Sequence, residues 1–117
     1  VHVIRITTNL AVDDVEAARD FYAGFLGLST TELDLGWVAR QTSPETGAHV
    51  QLVSGDATAP VDSVATLHTD DVDAAYDEAR RLGHEIVHPL TDEPWGVRRF
   101  FVRAPDGNVF NVVAHRG

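Results

Sequence analysis

The sequence predicts an α+β fold built from two tandem βαβββ modules, and three observations carry that prediction. The six residues Asp13-Asp14-Val15-Glu16-Ala17-Ala18 return, five of them identical, as Asp70-Asp71-Val72-Asp73-Ala74-Ala75. The offset of 57 is close to half of the 117-residue chain and also carries Leu10 onto Leu67, Asp20 onto Asp77 and Phe25 onto Leu82. Each copy is followed by short β-branched and aromatic runs separated by turn residues, the pattern of strands. A period of half the length marks a duplication, because a solenoid needs three or more units.

The elements follow in order. His2 to Leu10, rich in Val, Ile and Thr, reads as a strand. Asp13 is the expected cap of a helix, with Glu16 three residues on and Val15, Ala18, Tyr22 and Phe25 on one face; Gly27 stops it. Ser29 to Asp34 and Gly36 to Thr42 read as strands joined by a tight turn, and Ala48 to Ser54 as a further strand. Module one is therefore 1–54, a small, polar, proline-containing linker covers 55–61, and module two is 62–117, all within a single domain. In module two, Ser63 to Thr69 is a strand and Asp70 to Leu82 a helix with Val72, Ala75, Ala79 and Leu82 on its buried stripe. Glu85 to Pro89 is a short strand and Leu90 to Pro94 a loop. Val97 to Arg103 and Asn108 to Ala114 are strands joined by Ala104-Pro105-Asp106-Gly107, with proline and glycine where a turn needs them.

Nine basic against 18 acidic residues leave a formal charge of −9, which argues against nucleic-acid or anionic-membrane partners and would suit cationic ligands. There is no cysteine, so disulfides, thiolate catalysis and zinc-thiolate sites are excluded. No apolar run approaches the roughly 18 residues of a membrane span and no signal-peptide pattern precedes the first strand, so a cytoplasmic protein is expected.

The doubled module, the helix ending in Phe25-Leu26-Gly27-Leu28, and Pro105-Asp106-Gly107-Asn108 leading into a final apolar strand together resemble the vicinal oxygen chelate superfamily. That family includes glyoxalase I, extradiol dioxygenases, fosfomycin-resistance proteins and bleomycin-resistance proteins. The resemblance implies curved mixed sheets that form a cup-shaped cleft, often between two subunits, and hence a homodimer. In the metal-dependent members, His, Gln and Glu on the first and last strand of each module hold one divalent ion. Carried onto this chain, those places fall on Thr7, Val64, Gln51 and Asn111. None is charged, and a divalent cation needs imidazole or carboxylate donors to replace its water shell. No metal, no other cofactor and no catalytic residue is therefore expected. Ala104 also departs from the family's usual Asp-Pro-Asp-Gly turn.

His49 shares a strand face with Gln51, and His68 shares one with Val64. These two histidines could hold a metal weakly, or could simply lie at a strand mouth and a strand end. His2, His84, His88 and His115 show no ligand spacing and read as surface or edge residues. Strand alternation groups Asn111 with Val109 and Val113 on the cleft side, and turns Arg99 and Phe101 inward and Arg98 and Phe100 away unless a bulge reverses them. Trp37 and Trp95 are candidate cleft walls, suited to a planar or cationic ligand. The expected ligand-binding set is Thr7, Trp37, Gln51, Trp95, Arg99, Phe101 and Asn111. The acidic pairs at 13–14 and 70–71 read as helix caps rather than acid-base catalysts. Glu32, Asp34, Asp92 and Glu93 are candidate rim contacts.

Two functions follow from the resemblance. The first is a non-catalytic protein that binds or sequesters a small organic molecule, in the manner of antibiotic-resistance proteins. The alternative is a glyoxalase- or dioxygenase-like enzyme with a non-standard ligand set.

Overall fold

A computed structural model describes residues 1–116. The chain is mixed α+β, and its elements run β1 (Val3–Ala11), α1 (Val15–Asp20), β2 (Thr30–Asp34), β3 (Val38–Thr42), β4 (His49–Val53), β5 (Ala65–Thr69), α2 (Val72–Arg81), β6 (Glu85–Asp92), β7 (Val97–Arg103) and β8 (Val109–His115). The βαβββ order thus occurs twice. Two compact units are present, one of residues 7–58 and the other of residues 1–6 with 59–116. The opening residues of β1 belong with the second module.

In the first unit, the strand order is β2-β3-β4-β1, with β1 parallel to β4 and the other pairs antiparallel. Val15 of α1 packs with Ala39 and Leu52, joined by Leu10, Ala18 and Tyr22. The cap is Asp14, whose Oδ1 accepts from the Ala17 amide at 3.1 Å, not the expected Asp13. Either aspartate has the right chemistry; the second is the one whose backbone is extended at the point where the helix begins. The predicted helix also changes pitch. Phe21–Phe25 form a π-helical turn, closed by the Leu26 amide on the Phe21 carbonyl at 3.1 Å. A wider turn breaks the 3.6-residue phase, and Phe25, expected on the buried stripe, is 78% exposed.

The second unit has the order β5-β8-β7-β6, again with one parallel pair. Its core joins Val72, Ala75 and Ala79 of α2 to Phe100 and Val112 of the sheet. The cap is Asp71, bonded to the Ala74 amide at 3.0 Å, so the equivalent aspartate of each repeat does the same work. Leu82, expected on the buried stripe, is the exposed C-cap, and Gly83 at φ +77° reverses the chain. Leu90 to Asp92 is strand rather than loop. Strand β6 runs through Pro89 with two register shifts, which its position at the end of the sheet order permits, since an edge proline sacrifices no ladder bond. Among the described residues, no helix is long and apolar enough to cross a membrane.

Candidate functional site

Side-chain alternation sets what each unit presents on the face opposite its helix. In the second unit, Phe100, Val102, Val112, Ala114 and Leu67 pack toward α2. Arg98 points the same way, its Nη2 reaching Asp73 at 3.0 Å. Arg99, Phe101, Asn111, Val113, Thr66 and His68 therefore occupy the other face.

His68 and Val113 of that face border an open cleft of about 410 Å³. Ile4, Val113 and Ala114 supply its apolar walls, and Arg5, His68, Thr69 and His115 its polar ones. The His68 and His115 rings are stacked, 6.1 Å between centroids and 25° from parallel. The Arg5 Nη2 lies 3.4 Å from His68 Nε2. A guanidinium can only donate, so in this contact the imidazole nitrogen is the acceptor. Sequence reasoning missed Arg5 and His115. The available signal was the single cation within the apolar run Val3-Ile4-Arg5-Ile6.

Uncharged groups pair across the parallel strands of each unit. In the first unit, Asn9 stands opposite Gln51 in the parallel β1–β4 register, and Gln51 Nε2 donates to Asn9 Oδ1 at 2.8 Å. Arg40 donates to Gln51 Oε1 through Nε at 3.1 Å and Nη2 at 3.0 Å. A guanidinium on that oxygen opposes a metal cation directly. In the second unit, Thr66 stands opposite Asn111, with Asn111 Nδ2 3.4 Å from Thr66 Oγ1. Asn111 Oδ1 is buried without a hydrogen-bond partner.

The resemblance assigns the metal places of the first strands to Thr7 and Val64. In the register, Asn9 stands opposite Gln51 and Thr66 opposite Asn111, two residues further along on the same strand faces. Val64 precedes β5 and is 46% exposed. Thr7 is instead fully buried, its Oγ1 2.9 Å from His49 Nε2. The His49 Nδ1 sits 3.1 Å from the Gly47 carbonyl, which can only accept, so Nδ1 donates in that contact. Among the described residues no three His, Asp or Glu side chains cluster closely enough to hold a metal ion. An amide pair in one unit and an amide with a hydroxyl in the other do not fit a divalent cation.

The other aromatic and charged candidates form a separate buried group. Arg99 Nε lies 2.6 Å from Glu93 Oε2, each residue only 2% exposed. The guanidinium carbon sits 5.0 Å from the Trp95 ring centre and 4.9 Å from that of Phe101. His88 Nε2 is 3.5 Å from the same Glu93 oxygen, and its ring meets Phe101 edge-on. Glu93 is thus interior, not a rim contact, and His88, read as a surface or edge residue, is on the edge strand β6 but buried. The tight turn at 93–97, with the Glu93 amide on the Val97 carbonyl at 2.8 Å, carries the carboxylate inward. Trp95 already faces a cation supplied by the protein itself. Trp37 is half-buried in the bend just before β3, where its carbonyl accepts from the Ser54 amide at 2.9 Å. The structure therefore gathers Trp95, Arg99 and Phe101 together, places Asn111 across the β7–β8 register from Phe101, and brings none of the seven expected residues into the lining of the open cleft.

Residues 2–112 match the family described as the Glyoxalase/Bleomycin resistance protein/Dioxygenase superfamily, and the chain belongs to it. Among solved structures it is similar to one described as an NAD-dependent benzaldehyde dehydrogenase from Legionella pneumophila, at 15% identity and TM-score 0.77, covering 96% of this chain and 100% of that one. A glyoxalase/bleomycin resistance protein/dioxygenase superfamily member from Vibrio splendidus is 19% identical, TM-score 0.69, with 94% and 97% covered. An uncharacterised protein from Methanosarcina mazei is 25% identical, TM-score 0.69, with 98% and 94% covered. At 15% and 19% identity the first two likenesses speak for the fold alone. No curated protein matches the chain by sequence.

Proposed function

We propose that this chain is a non-catalytic member of its superfamily that binds or sequesters a small organic molecule, with an antibiotic among the candidate ligands, and acts as a homodimer. The observation that carries the reading is the pair of neutral rungs: Asn9 with Gln51, and Thr66 with Asn111. A superfamily enzyme of the metal-dependent kind draws its Lewis acid from these places, and here they supply no negative charge. Arg40 already occupies the Gln51 oxygen. What remains is an open cleft in which Ile4, Val113 and Ala114 meet four polar residues, a concave surface where a small molecule can lodge.

A thermal-shift screen against bleomycin-like glycopeptides, planar antibiotics and small oxo-acids tests the reading, because a compound that binds only the folded form raises the melting temperature. The reading expects a hit recovered chemically unchanged by mass spectrometry after prolonged incubation. Conversion of the hit at a rate proportional to protein concentration contradicts it.

A further inference from the structure

We infer that the cleft in the second unit takes a small organic anion, a carboxylate carried on a flat apolar body. The inference rests on the small-molecule-binding reading and names its ligand class. In a chain with 18 acidic and nine basic residues, carboxylates are abundant and most cations find one. Arg19 pairs with Glu16 and Asp34, Arg98 with Asp73 and Asp92, Arg99 with Glu93, and Arg103 with Glu85. Among the described residues, Arg80 makes no ion pair and lies over the Tyr76 ring. Arg5 likewise has no carboxylate within ion-pairing distance among the described residues, but it lines the cleft, where its side chain meets a ring nitrogen of His68. Among the described residues, no acidic side chain lines the cleft. Asp70, which follows the lining residue Thr69, directs its carboxylate to His2 at 3.9 Å.

The surroundings match that charge to a particular shape. Arg5 presents planar, fixed donors that suit a carboxylate. The His68 and His115 rings, nearly parallel, provide a flat polarisable wall. Ile4 and Val113 offer apolar surface to the rest of the molecule. A volume of about 410 Å³ lies at the lower end of small-molecule pockets and suits a one- or two-ring acid. The net charge of −9 repels any anion at long range, so selectivity for one has to come from this local arrangement.

The test compares 2-naphthoate with its neutral counterpart 2-naphthamide by isothermal titration calorimetry on the intact chain. A charge-assisted bond to Arg5 makes the acid bind about tenfold more tightly than the amide. Arg5→Gln abolishes that difference and Arg5→Lys keeps most of it. Because Arg5 is exposed, both variants should melt with the parent protein, and His115→Ala, also at an exposed position, should weaken both compounds alike. Equal affinity for acid and amide, or Arg5→Gln binding the acid as well as the parent does, overturns the anion inference while leaving a small-molecule binder in place. Binding of neither compound also overturns it. Conversion of bound compound, by contrast, would remove the non-catalytic reading itself.

Discussion

Glu93 and Arg99 form an ion pair, Oε2 to Nε 2.6 Å, that is shut away from solvent on the face of the β7 sheet opposite α2. Two charges removed from water are costly, and here the cost is offset by a short charge-assisted bond and by two aromatic faces against the guanidinium. Breaking the pair from one side should be worse than removing it altogether. Glu93→Gln should lower unfolding free energy by about 3–5 kcal/mol, and the double change Glu93→Leu with Arg99→Met should restore most of it. Urea unfolding of the three variants reads this out; a Glu93→Gln protein as stable as the parent would show the pair to be solvated.

The capping aspartates are equivalent across the repeat and can be tested as such. Asp14→Ala and Asp71→Ala should each cost about 1 kcal/mol, since each removes the acceptor for one orphan amide of a helix start. Asp13→Ala should cost under about 0.5 kcal/mol, the range of a surface change that touches no cap. Chemical denaturation distinguishes the two positions, and a larger loss at Asp13 would move the cap back to the residue expected from sequence.

Asp34 gives a pH dependence of known sign. Its carboxylate accepts from the Gly36 amide, the largest influence, and from Arg19, and both hold its pKa below the model-peptide value of 3.8. A depressed carboxylate pKa contributes stability that is present above the unfolded value and is lost as pH falls through the folded one. The stability gap between the parent and Asp34→Asn should therefore be widest above about pH 5 and close toward pH 3. Thermal melts at several pH values measure the gap; one that widens on acidification would refute the assignment.

Asn111 is the side chain the second unit's sheet serves least well. Its Nδ2 makes a long bond to Thr66, and its Oδ1 is buried with no partner. An unsatisfied buried acceptor costs about 1–3 kcal/mol. Replacing the amide by the similarly shaped Asn111→Leu should leave stability unchanged or raise it by up to about 1 kcal/mol. A clear loss in denaturant titrations would show that the amide oxygen is satisfied in solution.

Much of the fold was legible because the duplication repeats chemistry as well as hydrophobicity: Asp14 and Asp71 cap, Val15 and Val72 anchor, and the Val97–Arg103 strand is found with the bounds expected. What escaped was pitch and register. Nothing in Phe21 to Phe25 announces a switch to i→i+5 bonding, and Pro89 suggests a strand end until the strand is seen to lie at an edge. The orientation of Arg98 toward α2 and Arg99 away from it follows from strand alternation. The partner of Asn111 does not, because it depends on how two distant strands align. The cleft was hardest to foresee, since Ile4 and Arg5 come from one end of the chain and His115 from the other.

The central claim is that neutral side chains stand where superfamily enzymes keep their metal donors. Equilibrium dialysis against zinc, manganese, nickel and ferrous iron, followed by elemental analysis, tests it most directly. The account predicts retention below about 0.1 ion per chain for each metal, because three amides, one of them bound by a guanidinium, and a hydroxyl cannot replace a cation's water shell. Retention near one ion per chain, lost in Gln51→Ala or Asn111→Ala, would contradict it.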